Sequence, residues 1–584
     1  MGFRYSRNDE ELLFGGAVSS SGLREALLDT NPATAFNPFL GFFGGNSKAA
    51  ISRVYVTLHQ SGEFELPLGY FAINGDLFNL PAGPVSFAAG LEYRGERWKN
   101  NPPSQSTTFD TISFFNTEAS RVNRDVWATY QEVRIPVTSP LWNFPGAYSL
   151  EFDIAEREEW YSQNTSAVLP IAGQPFVPAQ HSQYNAQKPK FSVRWQPLDP
   201  KWIGALTLRG SYSEAFHAPT LPDLRPAGTA GAPILPGDLR DPKGLTPKGT
   251  SVPVVVSGNP NLKPEVAYEW TYGAVYSPKW IKGLTLSADF WHIDLRSIAS
   301  LVDAQFIINF ENSFPGLVVR NPTTGAITEV TNPSLNLTRA IVEGVDYEAI
   351  YILDSSIFGP GDVGRLTFTL NATYLSRFEF QATPVSKRIG LSGEFVSGPT
   401  FTGSLPHNRA YASVFYDGPA GTWLAGFDTG ATVHYTGQYE DLNQVLTSDP
   451  TGSSEPAKPQ MPRSGPLPWR ARKVSAWTTL DLMASYTFNL SALAAGEVPG
   501  LAKDGGKNFK IKDSNEKNVM PISTAEYNPC GWRAWLNSTT ISLGLQNVFD
   551  FDPPFVAGAL GNNYDNSLAS IKGRFWYVQL KKHF

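Results

Sequence analysis

The sequence predicts an all-β protein, a transmembrane antiparallel β-barrel with long extracellular loops. The first observation is a repeated alternation of apolar and polar side chains with period two, which gives each strand one lipid-facing and one watery face. The second is the lack of any run of about 18 apolar residues, so that strands rather than helices would have to cross a membrane. The third is the alternation of short Pro/Gly turns with long polar loops, a pattern typical of outer-membrane barrels.

The alternation is clearest where the chain ends and then recurs upstream. One face of the last predicted strand carries Trp576, Val578, Leu580 and the terminal Phe584. An aromatic residue at the end of such a strand is suited to a membrane interface. A soluble β-sandwich strand also alternates, but the number of strands with strongly polar second faces favours a wet interior.

Sixteen strand-like segments follow one another along the chain. They fall near residues 51–60, 63–80, 83–98, 119–137, 145–163, 185–198, 203–217, 264–277, 283–297, 335–353, 363–380, 403–417, 421–438, 474–490, 533–549 and 569–584. The first two could form one bent strand. Long loops are predicted at 219–262, 298–334, 381–402 and 439–473, and residues 491–531 are predicted to be a periplasmic insertion.

Composition shows no break that would divide the 584 residues into several domains. We therefore predict an irregular segment over residues 1–50 and a single barrel domain over 51–584. The net charge of −6 is spread without a basic stripe, which argues against a nucleic-acid partner. Cys530 is the only cysteine, so an internal disulfide is excluded. The first residues lack the apolar core of a secretory signal.

No catalytic motif is present, and the seven histidines are scattered without ligand spacing. We therefore expect neither an enzyme nor a metal or other cofactor. Asp153, Glu156, Glu158 and Glu159 form an acidic cluster in the sequence. Such carboxylates could hold Ca²⁺, but a solvated rim is the favoured interpretation.

Three segments resemble motifs of the TonB-dependent receptors. Residues 212–224 are similar to the family's Phe-Arg-Ala-Pro-Ser-Leu segment, residues 258–265 to its Asn-Pro-x-Leu-Lys-Pro-Glu motif, and residues 545–550 to its Asn-Leu-Phe-Asp element. His217 replaces the usual Arg, and Lys582 is a departure in the last strand. The matching positions are Phe216, Ala218, Pro219, Leu221, Asn259, Pro260, Leu262, Pro264, Glu265, Asn547, Phe549 and Asp550.

The resemblance implies a receptor in the outer membrane that takes up a bulky, scarce solute: an iron chelate, cobalamin or a saccharide. It also implies a TonB complex and a plug domain as partners of the full-length protein, contact with outer-membrane lipid, and recognition of the last strand by the barrel assembly machinery. Family barrels have about 22 strands, so the sixteen found here suggest the carboxy-terminal part of a receptor. Two alternatives stay open, a passive porin-like barrel and a secreted carbohydrate-binding or hydrolytic β-protein.

Overall fold

Sixteen long antiparallel strands dominate the part of the chain that the computed structural model describes. The described residues are 1–40, 45–108, 110–112, 118–167, 178–225, 228–230, 234, 239–302, 304–354, 362–397, 402–420, 422–445, 472–488, 532–556, 559 and 563–583. The strands are β1 Gly2–Ser19, β2 Tyr55–Leu80, β3 Gly83–Asn101, β4 Ser120–Thr138, β5 Ser149–Thr165, β6 Gln180–Gln196, β7 Gly204–His217, β8 Glu265–Pro278, β9 Leu284–Ser300, β10 Leu335–Asp354, β11 Arg365–Gln381, β12 Asn408–Asp417, β13 Phe427–Thr436, β14 Trp477–Phe488, β15 Thr539–Gln546 and β16 Phe575–Lys582.

Each of these strands pairs with the next one along the chain, so the sheet is a continuous meander from β1 to β16. The two-residue strands Thr111–Ile112 and Ile389–Gly390 join it at β1 and β11. Short connections, such as that between Leu80 and Gly83, alternate with longer ones from β2 to β14. The pattern of outer-membrane barrels assigns the end with the short connections to the periplasmic side and the other end to the extracellular side. The antiparallel barrel predicted from the sequence is confirmed.

Side chains on the two faces of a strand meet different surroundings, as the alternation predicts. In β11, Phe368 and Leu370 are exposed on the outward face, where lipid would lie. Asn371 and Thr373 face inward and line a cavity. Inward aromatic rings can lie flat against the wall where a neighbouring strand has glycine. A Cβ atom at Gly90 or Gly544 would collide with the ring of Tyr130 or Tyr577 directly opposite.

One prediction about the amino-terminal region is wrong. Residues 1–50 are not irregular throughout, because Gly2–Ser19 forms β1 and pairs with β2. The segments predicted at 51–60 and 63–80 form one strand, β2, as the alternative of a single bent strand predicts. β1 was missed because its middle carries Arg7, Asp9 and Glu11 on one face, which breaks the apolar pattern. Those charges are tolerated because Arg7 pairs with Asp9 and with carboxylates of β2.

Helices are short and confined to connections. They are α1 Ser20–Leu28, α2 Lys48–Val54, α3 Ser104–Thr107, α4 Pro200–Ile203, α5 Ala304–Asn309 and α6 Trp532–Leu536, with 3₁₀ turns at Pro38–Leu40, Pro222–Leu224 and Glu311–Ser313. Among the described residues, no helix has the length and apolar character needed to cross a membrane.

The long extracellular loops fold into two small sheets. Loop sheet 1 joins the β7–β8 and β9–β10 loops and contains Gly228–Ala230, Val254–Ser257, Val318–Arg320 and Ile327–Pro333. Its core includes Val252, Ile307 and Val330. Loop sheet 2 joins the β11–β12 and β13–β14 loops and contains Glu394–Ser397, Thr402–Ser404, Tyr439–Val445 and Arg472–Val474. Residues 491–531, predicted as an insertion, lie outside the described part of the chain.

Candidate functional site

Charged side chains on the inward faces of β3, β4 and β5 form a buried network. Arg94 donates Nη2 to Glu159 Oε2 at 2.7 Å and Nε to Glu96 Oε1 at 3.0 Å. Arg124 donates Nε to Glu96 Oε2 at 2.8 Å. Both guanidinium groups lie over the ring of Tyr161, with Arg124 at 5.5 Å and Arg94 at 5.9 Å from its centroid. Arg124, Glu159 and Tyr161 are only 6%, 4% and 3% exposed. Removal of one member would leave a buried charge uncompensated.

Small residues of β4 let these long side chains meet. Val126 pairs with Arg94 on one side and with Tyr161 on the other. Ala128 pairs with Glu159 in the next inward position. Because side chains at these two positions are short, the groups of β3 and β5 can reach each other across β4. The network is therefore built by strand register and by side-chain size together.

The first family motif closes over this network from β7. The ring of Phe216 lies edge-on to Tyr161, with centroids 6.2 Å apart. The carbonyl oxygen of Pro219 accepts a hydrogen bond from Arg124 Nη1 at 2.6 Å. Ala218 lines the cavity next to the network. The motif thus connects the outer end of β7 with the wall at β4. In the sheet, β5 and β6 lie between these two strands.

Both motifs that flank the β7–β8 loop send a leucine to the same apolar cluster. Leu221 and Leu262 are buried with Leu224 against Val122 of β4. The partly buried residues packed around them are Phe64, Trp98 and Ala299. We call residues 218–224 and 258–264 the inner strap, since they cross the inward face of β2 to β6 near its extracellular end.

Backbone groups hold the two halves of the inner strap together. The amide of Asn259 donates to the carbonyl oxygen of Asp223 at 2.7 Å. The carbonyl oxygen of Pro260 accepts from Ser182 Oγ of β6 at 3.3 Å. Pro264 then precedes β8, and Glu265 Oε1 accepts from the amide of Ala299 at 2.8 Å.

His217, which departs from the family pattern, ends β7 opposite the first residue of β8. Its Nδ1 lies 3.6 Å from Glu265 Oε2. A protonated His217 can therefore still pair with that carboxylate.

The third motif lies elsewhere, between β14, β15 and β16. Asn547 donates its amide to Asp481 Oδ1 of β14 at 2.8 Å, and its side chain hydrogen-bonds both backbone groups of Phe551. Asp550 Oδ1 accepts from the amide of Arg574 at 2.6 Å. Asn547 and Asp550 both have positive φ, 49° and 59°, which Asn and Asp tolerate better than most residues. Phe549 is exposed. This motif shapes the start of the last loop.

The residues predicted as an assembly signal occupy β16. Trp576, Val578 and Leu580 are exposed on one face of this strand. Phe584 lies outside the described residues.

Two inward-facing cavities differ in their chemistry. One of about 630 Å³ lies beside the ionic network and the inner strap. The other, about 770 Å³, runs along the wall from β7 to β14. A cross-strand row of inward positions passes through the second cavity and comprises Arg209, Gly273, Asp289, Asp346, Thr373 and Arg409. Arg209 binds Asp289 with Nε–Oδ1 and Nη2–Oδ2 distances of 2.7 and 2.5 Å.

The acidic cluster proposed from the sequence does not exist as a cluster. Glu159 and Asp153 face inward, and Glu159 is buried against Arg94 rather than solvated. Glu156 and Glu158 lie on the opposite face. The interpretation as one solvated rim or one Ca²⁺ site is wrong because period two separates the four carboxylates. Among the described residues, no three His, Cys, Asp or Glu side chains are grouped as metal ligands.

A family model described as "TonB dependent receptor-like, beta-barrel" matches residues 1–498. The chain belongs to this family of outer-membrane receptors. Members are receptors rather than enzymes, which confirms the assignment made from the sequence. No curated protein matches the chain.

Several solved structures are similar in fold at low identity. A mutant ferric enterobactin receptor of Pseudomonas aeruginosa, PfeA, has 14% identity and a TM-score of 0.44, with 92% of this chain and 64% of that receptor covered. The ferric yersiniabactin uptake receptor FyuA of Yersinia pestis has 11% identity and a TM-score of 0.41, with 90% and 53% covered. The copper transporter OprC has 10% identity and a TM-score of 0.46, with 99% and 61% covered. The chain thus spans less than two thirds of each.

Proposed function

We propose that the protein is an outer-membrane receptor for the TonB-dependent uptake of a bulky solute, and that the cavity along β7 to β14 contacts the solute. Family membership supports the receptor role. The observation that carries the contact site is the open wall, where charged and hydrogen-bonding groups face the lumen of the barrel. Neither Glu348 nor Arg409 forms an ion pair with a described residue, although both line or adjoin this cavity.

The solute belongs to the classes expected from the sequence, iron chelates, cobalamin and saccharides. A polar wall with unpaired acidic and basic groups suits a ligand rich in hydrogen-bonding groups. Tyr411 and His434 add two rings to this wall.

In this proposal the full-length protein works with a plug domain and with the TonB complex. Outer-membrane lipid surrounds the outward faces, and the barrel assembly machinery recognises β16 through Trp576, Val578 and Leu580. The regular outward alternation of apolar side chains supports the lipid contact.

The test is uptake of a ferric siderophore, cobalamin and an oligosaccharide, each labelled, by cells that carry the full gene. We expect uptake of one of them to need both this gene and TonB, and Arg409→Ala to weaken binding of that solute. Val433→Ala, at an exposed outward position of the neighbouring strand β13 that does not line the cavity, is the control. Uptake of small solutes that continues without TonB, together with ion conductance in planar bilayers, would instead indicate a passive porin-like barrel.

A further inference from the structure

Two glutamates of loop sheet 2 lie directly opposite each other. Glu394, from the β11–β12 loop, pairs with Glu440, from the β13–β14 loop, in a parallel register. The amide of Glu440 donates to the carbonyl oxygen of Gly393 at 2.8 Å. The amide of Leu405 donates to the carbonyl oxygen of Glu394 at 2.9 Å. The hydrogen bond from Glu440 to Gly393 therefore joins the two loops, and the one from Leu405 fixes Glu394 within its own loop.

Glu394 is in an unfavourable place for a charge. Its Oε2 atom is buried and has no hydrogen-bond partner among the described residues. The next residue, Phe395, is fully buried in an apolar core with Tyr439, Val474 and Val556. Val556 comes from the β15–β16 loop, so a third loop packs on the face of loop sheet 2 to which Phe395 points, opposite the face of Glu394.

Among the described residues, Glu394 takes part in no ion pair. Asp565 of the last loop is engaged by the amide of Ser404 at 2.7 Å and by Ser567. Lys473 stands opposite Glu440 on the edge strand of the sheet, and the ion pairs of the described residues do not include one between Lys473 and either glutamate. The other titratable or charged groups near the pair are His407, which lies against Gly393, and Tyr439, Asp441 and Arg472 of the adjoining strands.

We propose that Glu394 and Glu440 form a proton-dependent latch, which holds the two loops of loop sheet 2 together when Glu394 is protonated and loosens them when it ionises. The latch goes beyond solute uptake, because it concerns the loops alone. It makes the extracellular end of the lumen responsive to pH.

The sign follows from the environment of Glu394. Burial, and secondarily the negative charge of Glu440, raise the pKa of Glu394 to about 7. A carboxyl group whose pKa is higher in the closed form stabilises that form fully below its ordinary pKa. This stabilisation is lost as the pH rises from there through about 7. The closed loops are therefore expected at acidic pH, and opening should increase toward pH 8.

The experiment is backbone amide exchange of the full chain in detergent between pH 5 and 8, corrected for the intrinsic pH dependence of exchange. The amide of Glu440 reports on the latch because it donates across the two loops. We expect its protection to fall roughly ten- to hundred-fold over this range, since one unit of pKa difference corresponds to a tenfold change in an equilibrium.

Two variants separate the latch from general loosening of the loops. In Glu394→Gln the neutral amide keeps the shape of the side chain, and the pH dependence should disappear. In Glu440→Gln only burial still acts on Glu394, so the fall should become smaller without disappearing. If Glu394→Gln does not yield folded barrel, the reduced slope of Glu440→Gln decides the question.

Loop sheet 1 provides an internal control. Hydrogen bonds from Arg320 hold the pKa of Asp241 well below its usual range, so Asp241 stays ionised from pH 5 to 8. Protection of the Thr331 amide, which donates to Leu317 at 2.8 Å, should therefore be independent of pH. Equal pH dependence in both loop sheets, or an unchanged slope in Glu394→Gln or Glu440→Gln, would overturn the proposal.

Discussion

The inward wall of the barrel has two parts that share the alternation of apolar and polar side chains but differ in what covers them. From β3 to β6 the wall is covered by the inner strap, and its charges are buried and paired. Along the cavity from β7 to β14 it is open, and several of its polar groups face the cavity without ion-pair partners in the described residues. Inward polarity alone therefore does not define a contact surface. On the covered wall the charges fasten a loop to the barrel, whereas on the open wall we propose that they contact the solute.

The largest expected effect tests the covered wall. Arg124→Ala should lower the free energy of unfolding by about 3 to 5 kcal/mol, because the buried Glu96 Oε2 would lose its partner. Glu96 would keep only Arg94, which also binds Glu159. The change also removes the hydrogen bond from Arg124 to Pro219 that fastens the inner strap. Urea unfolding in lipid vesicles, followed by tryptophan fluorescence, measures the loss.

Arg209→Ala is the matched change on the open wall. Arg209 also forms a close pair with a carboxylate, but its side chain is 52% exposed. An exposed pair contributes about 0 to 1 kcal/mol. Similar losses for the two arginines would abolish the distinction between the covered and open walls.

The next effect concerns the apolar anchor of the inner strap. Leu224 is fully buried in the cluster with Leu221, Leu262 and Val122. Leu224→Ala should cost about 2 to 5 kcal/mol, because it removes buried methyl groups and leaves a cavity. Leu245→Ala, at an exposed position of the same loop, is the control. Protease cleavage within the β7–β8 loop of the folded barrel should increase for Leu224→Ala only, and equal cleavage of both variants would argue against an anchored strap.

A third test concerns the outward face of the barrel, which should contact lipid whether the inward face behind it is covered or open. Phe368 is 40% exposed on the outward face of β11. Phe368→Arg should cost about 2 to 4 kcal/mol if the residue lies near the bilayer midplane. Thr369→Arg places the same charge on the inward face of the open wall and should cost little. Refolding into vesicles at increasing urea compares the two, and equal losses would reject the assigned faces.

The sequence predicts most of this fold because period two carries the information. All sixteen predicted segments fall on barrel strands and together account for fifteen of the sixteen strands, because the first two segments form the single strand β2. The remaining strand, β1, lies in the segment predicted to be irregular. The charged residues of β1, such as Arg7 paired with Glu65, interrupt its apolar pattern and make the strand hard to find in the sequence. Pro67 interrupts the apolar pattern of β2 in the same way.

The site is less predictable than the fold. The motif residues Phe216, Pro219 and Leu262 could be found by resemblance, but their contact with β4 depends on pairs about 95 residues apart, such as Arg124 and Pro219. The alternation of Glu92, Arg94 and Glu96 was a usable signal, since three charges on one face of a strand need partners. The loop sheets could not be predicted, because their strands are short and pair across different loops.

The smallest expected effect on stability tests the open wall directly. Glu348 and Arg409 face the cavity on β10 and β12, and no ion pair within the described residues depends on either. Glu348→Gln and Arg409→Gln should therefore each change the free energy of unfolding by less than about 0.5 kcal/mol. The same variants should weaken solute binding if the open wall contacts the solute, because each removes a charge from the cavity. Urea unfolding and equilibrium binding, measured on the same preparations, separate the two effects. A loss of stability close to that of Arg124→Ala would show that the open wall uses its charges as the covered wall does, to hold the barrel together.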